Sequence, residues 1–232
     1  ISVVIPTLNE EKCIEECLLS LRAQRYDERY EIILVDGQSG DRTQAIAKKY
    51  VDKVLVKPPK GPATARNIGA REAKYPIVAF IDADCIAAPN WLEEIEKSFR
   101  ENIVGLGGVV RPSSGTWFDK LMFKINSDWW VRVSARFGVY QLYGNNCAYR
   151  RANFLKIGGF NENVSFFEDT ELSMRMKKVG RVKVNKNMAV ATSIRRFRQM
   201  GYIRLGMINV QAFLNFLLGR PIKTKYFQEI KH

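Results

Sequence analysis

The sequence is nearly devoid of histidine, and its few cysteines form no metal-binding pattern. The single histidine is the last residue, His232, and none of the four cysteines (Cys13, Cys17, Cys85, Cys147) is paired in a CxxC spacing. Zinc sites draw on paired cysteines and histidines, so a zinc site is not expected. The same cysteine usage argues against a disulfide framework and is typical of a reducing compartment.

Long apolar runs are also absent. The longest late one, residues 207–218, is interrupted by Asn209, Gln211 and Asn215, whereas a membrane-spanning helix needs about 20 apolar residues. Residues 1–6 already have the composition of a core strand, so no signal peptide is expected. These absences predict a cytoplasmic protein.

Acidic residues are fewer than basic ones: 24 Asp and Glu stand against 37 Lys and Arg, for a formal charge of +13. So large a positive charge indicates an anionic partner, which could be nucleic acid, a phospholipid surface or a phosphorylated substrate. No RNA-recognition, helix-turn-helix or zinc-finger pattern accompanies the charge, so nucleic acid is not expected. The chain has 232 residues, 46% of them hydrophobic, which suffices for one large α/β domain or for a domain with a helical appendage.

What the sequence does contain is a regular alternation of apolar strands and helical segments. Strands are predicted at 2–5, 31–35, 53–56, 77–81, 104–110 and 182–184, and helices at 11–25, 43–50, 63–73, 91–100 and 170–179. Such alternation predicts βαβ units and an α/β fold with a mostly parallel, Rossmann-like sheet flanked by helices.

The strand at 77–81 is followed directly by two carboxylates, Asp82 and Asp84. The carboxyl ends of parallel strands are where open α/β sheets bind ligands. Two carboxylates this close repel each other unless a cation neutralises them, and Mg²⁺ or Mn²⁺ would do so while bridging to a diphosphate. The alternative is an Asp-rich turn that caps the helix after Pro89, and these residues alone do not separate the two.

Seven segments in order resemble the family 2 glycosyltransferases of the GT-A fold. They are VVIPTLNE (3–10), VDGQSGDRT (35–43), ARNIGA (65–70), DADC (82–85), GNNCAYRR (144–151), GGF (158–160) and FEDTELSMR (167–175). Each is weak alone, but the ordered set extends over most of the chain, from residue 1 to about 202. The resemblance implies a metal-dependent, inverting transfer of a sugar from a nucleoside diphosphate, usually UDP, to an acceptor.

The resemblance also divides the chain. It implies a GT-A domain at 1–200, with a nucleotide-binding half to about residue 110 and an acceptor half from about residue 111, followed by a helical basic tail at 201–232. Many GT-A enzymes supply a late histidine to the metal, and this chain has none at that place.

Roles for individual residues follow from the same resemblance. The nucleotide sugar would be bound by Pro6, Thr7, Asn9, Glu10, Asp36, Gly61, Arg66, Asn67, Asp82, Ala83, Asp84, Arg195 and Arg196. Asp84 would be the main ligand of Mg²⁺ or Mn²⁺, with Asp82 beside it. The acceptor would be faced by Gly144, Asn145 and Asn146. Asp169 would be the catalytic base, with Glu168 beside it.

The chemistry of these residue types agrees with the assignment. Inversion in one step needs a base on the far face of the sugar to deprotonate the acceptor hydroxyl. Asp169 stands at the start of a predicted helix, whose N-terminus would favour its charged form; a first-turn acid without a chemical role is the simpler alternative. Arg195 and Arg196 suit diphosphate oxygens through bidentate bonds, or are surface arginines of a basic tail.

The stretch 116–143 is rich in aromatic residues with Arg and Lys between them. Together with the basic tail and the apolar segment 207–218, it indicates docking on the anionic cytoplasmic face of a membrane. A hydrophobic dimer interface explains the same residues, as does core packing for Phe123 and Trp130, and the number of subunits is not indicated.

The predicted function is therefore an inverting glycosyltransferase that acts on a glycan or a lipid-linked acceptor. Within the family, a dolichyl-phosphate sugar synthase is the alternative. Outside it, a sugar-nucleotide nucleotidyltransferase should carry a glycine-rich basic loop after the first strand, where this chain has PTLNE. A non-enzymatic membrane-surface binding protein would explain the charge but not the carboxylates at three element ends.

Overall fold

The computed structural model describes residues 1–58, 60–99, 102–125, 129–136, 138–164, 167–194, 198–199, 201–218 and 220. Strands lie at Ser2–Thr7 (β1), Glu31–Asp36 (β2), Lys53–Val56 (β3), Ile77–Ile81 (β4), Cys85–Ala87 (β5), Ile103–Pro112 (β6), Asn146–Arg150 (β7) and Arg181–Thr192 (β8). Helices lie at Ile14–Arg22 (α1), Thr43–Ala47 (α2), Pro62–Glu72 (α3), Trp91–Ser98 (α4), Trp117–Lys124 (α5), Trp130–Arg136 (α6), Arg151–Lys156 (α7), Glu168–Lys177 (α8) and Tyr202–Leu217 (α9).

The described strands form one sheet in the order β3-β2-β1-β4-β7-β6-β8-β5. Parallel pairing joins β3, β2, β1 and β4, and also β6 and β8. Antiparallel pairing joins β4 to β7, β7 to β6, and β8 to β5. The α/β fold with flanking helices is confirmed, but the sheet is mixed rather than mostly parallel, because the unpredicted strand β7 inserts between β4 and β6 in the opposite direction.

Both faces of the sheet are covered by helices. Along β1, Val3 and Ile5 pack in the layer that contains α1 and α4, whereas Val4 packs with α3 on the other face. A strand buried on both faces has no polar side to present, which explains the continuous apolar runs of β1, β2 and β4.

Some predicted boundaries differ from the structure. Helix α1 begins at Ile14 rather than at residue 11, and residues 11–13 form a turn. Just before it, the backbone N–H groups of Glu10 and Glu11 donate to Thr43 and Asp41 in the neighbouring loop. Strand β8 is far longer than the predicted 182–184. After an irregular stretch at 185–187, buried side chains alternate with partly exposed ones from Met188 to Thr192.

The carboxyl ends of β1, β2 and β4 meet at one edge of the sheet. Thr7 pairs in register with Asp36, and β4 ends at Ile81, so that Asp82 follows directly. Helices α1 and α2 pack on one face and α3 on the other, so the strand order reverses beside β1. Open α/β sheets bind their ligands at such a switch point.

Helix α9 is the described part of the predicted tail. It packs through Ala212 and Phe213 against Phe167, just before α8, and is therefore part of the folded body rather than a separate appendage. Residues 221–232, which include the basic residues of the end of the chain, lie outside the described residues. Within the described chain, no helix combines the length and the apolar character needed to cross a bilayer.

Candidate functional site

A cavity of about 610 Å³ opens where these strand ends meet. One wall comes from the ends of β1, β2 and β4, and the opposite wall from the segment before β7 and the start of α8. Leu205 and Asn209 of α9 close a third side. The predicted site residues that line it are Pro6, Thr7, Glu10, Asp36, Gly61, Arg66, Asp82, Ala83, Asp84, Gly144, Asn145, Glu168 and Asp169.

Asp36 is fully buried at the end of β2, and protein donors already surround its carboxylate. Oδ1 accepts from the hydroxyls of Thr7 (3.2 Å) and Ser39 (2.6 Å), and Oδ2 accepts from the Ser39 N–H and from Gln44 Nε2, both at 2.8 Å. An ionised carboxylate has about four lone-pair sites. Asp36 therefore fixes the floor of the cavity, and a bond from it to a nucleobase would require one of these donors to move.

Asp82 and Asp84 both line the cavity just beyond β4. Among the described residues, no group of three or more His, Cys, Asp or Glu side chains is arranged so that it could hold a metal ion. The two carboxylates nevertheless fit Mg²⁺ or Mn²⁺, because Mg²⁺ is usually held by one or two carboxylates together with substrate phosphates and water. Such an ion would be held by Asp84 and Asp82.

Arg66 connects the two acidic sides of the cavity. Its side chain is only 4% exposed; Nη2 lies 2.7 Å from Asp82 Oδ1, and Nη1 lies 3.4 Å from Glu168 Oε1. The guanidinium carbon is 5.4 Å from the centre of the Phe160 ring. Burial lowers the pKa of Arg66, but the two carboxylates raise it by more, so the net pKa is above its ordinary value and the group stays charged.

Asp169 is held by backbone donors on both of its oxygens. The Gly144 N–H donates to Oδ2 at 3.1 Å, and the Thr170 N–H donates to Oδ1 at 2.7 Å. Gly144 also leaves room for Arg66, since a Cβ at this position would lie 2.8 Å from Arg66 Nη1. The loop before β7 thus fixes both the arginine and the aspartate.

Glu168 and Asp169 bind protons more readily than exposed carboxyl groups do. Burial, reinforced by the charge of Asp169, raises the pKa of Glu168 to about 7. Burial also raises the pKa of Asp169, against the opposing effect of the Gly144 and Thr170 N–H groups. The helix N-terminus does favour the charged form of Asp169, as predicted, through the Thr170 N–H, but burial outweighs that effect and the net pKa is raised. A raised proton affinity suits a group that must accept a proton from a hydroxyl near neutral pH.

Phe167 precedes α8 in a strained backbone conformation. Its φ is +66°, in the left-handed region that bulky residues rarely adopt, and its ring packs with Ala212 and Phe213 of α9. Leu172 and Met176 are fully buried on the inner side of α8, as predicted. Strain of this kind persists where the surrounding packing imposes it and is common at functional sites. The positions of Glu168 and Asp169 thus depend on α9 as well as on α8.

Asn146 has a different place from the one predicted. It is fully buried and does not line the cavity. Its Oδ1 accepts from Trp91 Nε1 at 2.9 Å, and its Nδ2 donates to the carbonyls of Val109 (2.9 Å) and Met188 (3.0 Å). Asn146 therefore ties β7 to α4, β6 and β8, and it is not positioned to contact an acceptor.

Asn67 and Asn9 also lie outside the cavity lining. Asn67 is buried, with Oδ1 accepting from the Phe160 N–H (2.8 Å) and Nδ2 donating to the Phe160 carbonyl (2.8 Å) and to Glu162 (2.9 Å). Asn9 accepts from the Gly40 N–H at 2.9 Å and joins the loops after β1 and β2. Both asparagines join segments around the site, and neither lines the cavity.

Sequence reasoning missed part of the lining, and one predicted pair cannot be placed. Arg195 and Arg196 lie outside the described residues. The lining residues that were missed include Lys57, Lys60, Gln141, Tyr143, Thr192, Ser193, Leu205 and Asn209. The lysines gave a usable signal, since they follow β3 at the same edge of the sheet and carry positive charge. Leu205 and Asn209 gave none, because their contact depends on how α9 packs.

Comparison with known proteins agrees with the resemblance seen in the sequence. The model of the family described as "Glycosyl transferase family 2" matches residues 2–175. The chain belongs to the family 2 glycosyltransferases. This membership confirms the resemblance seen in the sequence and removes support for a nucleotidyltransferase or a non-enzymatic binding protein.

One curated relative of this family 2 chain is a glucosyl-dolichyl phosphate glucuronosyltransferase from Haloferax volcanii. It is 31% identical over an alignment of 179 residues, which covers 70% of this chain and 56% of the relative. The chain spans about half the length of the curated relatives it matches, with shares of 42%, 56% and 47% in three of them.

Two solved structures show the same GT-A fold as this family 2 chain. One is S. aureus TarS 1–349 in complex with UDP-GlcNAc, with a TM-score of 0.69 and 22% identity over 99% of this chain and 76% of that one. The other is glucosyl-3-phosphoglycerate synthase from Mycobacterium tuberculosis in complex with Mn²⁺, UDP and glucosyl-3-phosphoglycerate, with a TM-score of 0.64 and 21% identity over 95% and 80%.

Proposed function

We propose that the chain is the catalytic domain of an inverting glycosyltransferase, which moves a sugar from a nucleoside diphosphate sugar to a glycan or lipid-linked acceptor. The observation that carries the proposal is that two pairs of carboxylates face one cavity and are connected by a buried cation. Asp82 and Asp84 lie at one side, Glu168 and Asp169 at the other, and Arg66 contacts a member of each pair.

The donor is proposed to be a UDP-sugar that enters at the strand ends. The floor there is fixed by Thr7 and Asp36, and Lys57 and Lys60 line the same side, where their charge favours a diphosphate. Both structural relatives described above were solved with UDP or a UDP-sugar.

Mg²⁺ or Mn²⁺ is proposed as the cofactor, held by Asp84 and Asp82. When bound, such an ion neutralises the negative charge that develops on the departing diphosphate. Arg66 then has two tasks that the structure supports: it keeps Asp82 oriented through a 2.7 Å bond, and it adds a fixed positive charge beside the donor site.

Asp169 is proposed as the base that removes the proton from the acceptor hydroxyl. Its position is fixed by the Gly144 and Thr170 N–H groups, and a one-step displacement depends on such positioning. Glu168, in contact with Arg66, is proposed to orient the start of α8 or to contact the acceptor. Gly144 and Asn145, which also line the cavity, would lie on the acceptor side.

A thermal-shift screen of UDP- and GDP-sugars, each with and without Mn²⁺, tests the proposal. A rise in melting temperature is expected for at least one sugar nucleotide, larger with the ion than without it, since a ligand that binds only the folded state stabilises that state. If every sugar nucleotide leaves the melting temperature unchanged at millimolar concentration, the proposed function is wrong.

A further inference from the structure

Exposed apolar side chains are concentrated on two neighbouring helices. Nine of the thirteen large hydrophobic side chains that are exposed in the described parts of the chain lie on or directly after α5 and α9. They are Trp117, Phe118, Leu121 and Ile125 at α5, and Ile203, Met207, Val210, Leu214 and Leu218 at α9. We call these nine side chains the apolar face. A patch of this kind marks a site of interaction with a protein or a membrane.

Helix α9 is apolar on two sides, and only one of them is covered. Ile203, Met207, Val210 and Leu214 recur at the spacing that places side chains on one stripe of a helix, and Ile203 is 75% exposed. The other side of the helix, with Leu205, Ala212 and Phe213, is buried in the protein. A helix that is apolar on both sides is expected to be covered on both.

Polar contacts hold the two helices together at one end. The buried carboxylate of Asp119 accepts from Thr116 and from Tyr202 Oη, both at 2.8 Å, and from Arg198 Nη2 at 2.6 Å. The rings of Phe118 and Tyr202 meet edge to face at 6.2 Å. The start of α9 is thereby fixed against the first turn of α5, and the exposed stripes of the two helices are neighbours.

The charges around the apolar face are positive. Lys120 and Lys124 are exposed on α5, Arg204 is exposed on α9, and Arg220 is exposed beyond its end. The one acid within either helix, Asp119, is buried and paired with Arg198. The hydrogen bonds from Arg198, Thr116 and Tyr202 hold the pKa of Asp119 well below its usual range. Asp119 therefore stays ionised, and the positive charge of Arg198 offsets its negative charge.

We propose that the apolar face docks on a bilayer that contains anionic phospholipid. An exposed tryptophan such as Trp117 suits the boundary between headgroups and acyl chains, and lysines and arginines beside an apolar helix face bind anionic lipid. A second copy of the chain fits less well, because a two-fold symmetric contact would bring together the same positively charged patch of both copies.

Docking on a bilayer also restricts which kind of acceptor reaches the cavity. This consequence rests on the proposed glycosyltransferase function. Leu205 and Asn209 line the cavity from the inner side of α9, and Phe123 lines it from the inner side of α5. A bilayer against the outer sides of the same helices would lie at the edge of the cavity. The acceptor is then a sugar or phosphate carried on a lipid.

Vesicle co-sedimentation tests the docking without any need for activity. The whole chain is mixed with phosphatidylcholine vesicles with or without phosphatidylglycerol, and is expected to bind the anionic ones more tightly. Changing both Ile203→Gln and Met207→Gln should weaken that binding by about tenfold or more. Changing both Lys120→Gln and Lys124→Gln should weaken it by about fivefold per lysine, on anionic vesicles only.

Matched pairs elsewhere on the surface serve as controls. Leu19→Gln with Val179→Gln removes two exposed apolar side chains, and Lys48→Gln with Lys49→Gln removes two exposed lysines, all away from the apolar face; neither pair should change vesicle binding.

Equal loss of vesicle binding in the control variants, or no binding of the unaltered chain to anionic vesicles, overturns the proposal. So does a dimer in sedimentation velocity that Ile203→Gln with Met207→Gln dissociates, since the face would then be an interface between copies. UDP binding is measured in parallel, and its failure would concern the proposed function alone.

Discussion

At the scale of single residues, the geometry of the cavity depends on how closely Arg66 is enclosed. The guanidinium lies between Asp82 and Glu168, with Phe160 on one side and Gly144 beside it. A buried arginine placed between two carboxylates is costly to disturb, because moving it leaves charges without partners in a region of low polarity.

Gly144→Ala should therefore displace the arginine. The added Cβ would lie 2.8 Å from Nη1, too close for an ordinary contact, so we expect a loss of about 1–3 kcal/mol in the free energy of unfolding and weaker UDP binding. Urea denaturation and UDP titration measure the two effects. Gly40→Ala is the matched control, since a Cβ there has no heavy atom within 4 Å. Equal stability and UDP affinity in the two variants would contradict this account of Arg66.

The acidic pair predicts an unusual pH dependence. Burial raises the pKa of Asp169, the proposed base, above its ordinary value, so its base form is lost at a higher pH than that of an exposed aspartate. We expect kcat/KM to fall on the acidic side with a midpoint above the ordinary carboxyl value of about 4.

Two variants separate the roles of the pair. Glu168→Gln removes the neighbouring charge, so the acidic midpoint should move to lower pH while turnover persists. Asp169→Asn cannot accept the proton, and turnover should fall by about 10²–10⁴ with UDP binding retained. Near-normal turnover in Asp169→Asn together with an inactive Glu168→Gln would assign the base to the glutamate instead.

For single residues, the sequence predicted a residue's place in the fold correctly where that place depends only on its position in the chain. Asp36, Asp82 and Asp84 follow buried strands, so their arrival at one edge of the sheet could be predicted. It failed for Asn67 and Asn146, because an asparagine in a substrate-facing loop and one that joins core strands look alike in sequence. Only the direction of the side chain separates them, and that direction is set by partners distant along the chain, such as Trp91.

At the scale of elements, the start of α8 is held in place by α9. Phe167 adopts its left-handed backbone while its ring is buried against Phe213 and Ala212. The backbone conformation favours glycine at this position, whereas the packing favours the phenyl ring.

Because of this conflict, we expect glycine to be less destabilising than alanine at position 167, the reverse of the order in an ordinary helix. Phe167→Ala should cost about 3–5 kcal/mol, since it removes a buried ring, and Phe167→Gly should cost about 1 kcal/mol less than that, because it also relieves the strain. Phe154, buried within α7, is the control: there the glycine variant should be the less stable by about 1 kcal/mol, as in ordinary helices. Equilibrium denaturation of the four variants gives the comparison. The same order at both positions would contradict the strained conformation of Phe167.

Elements with strong periodicity could be predicted, and those defined by long-range pairing could not. The strands and helices of the first half repeat a local pattern. Strand β7 is specified by its place between β4 and β6, and the contribution of α9 to the cavity by its packing on Phe167. Neither relation leaves a periodic signal in the sequence.

At the scale of the whole molecule, the charge of +13 is consistent with two anionic partners at separate places. The lysines after β3 lie beside the proposed diphosphate, and those of α5 lie beside the proposed bilayer. Anionic partners of both kinds could be predicted from the composition. That they would bind at separate places on the molecule could be inferred only from the fold. The chain spans about half of the curated relatives it matches, so the acceptor of the whole protein stays a proposal.

Calorimetric titration with UDP, with and without Mn²⁺, tests the central claim most directly: a nucleoside diphosphate and a divalent ion bind together at Asp84. We expect Mn²⁺ to raise the UDP affinity of the unaltered chain by about tenfold or more, equivalent to about 1.4 kcal/mol. Asp84→Asn should keep the affinity seen without metal and lose the gain, whereas Asp27→Asn, the same change at an exposed loop position, should keep both. Equal UDP affinity with and without Mn²⁺ in the unaltered chain, or a full gain in Asp84→Asn, would contradict the account.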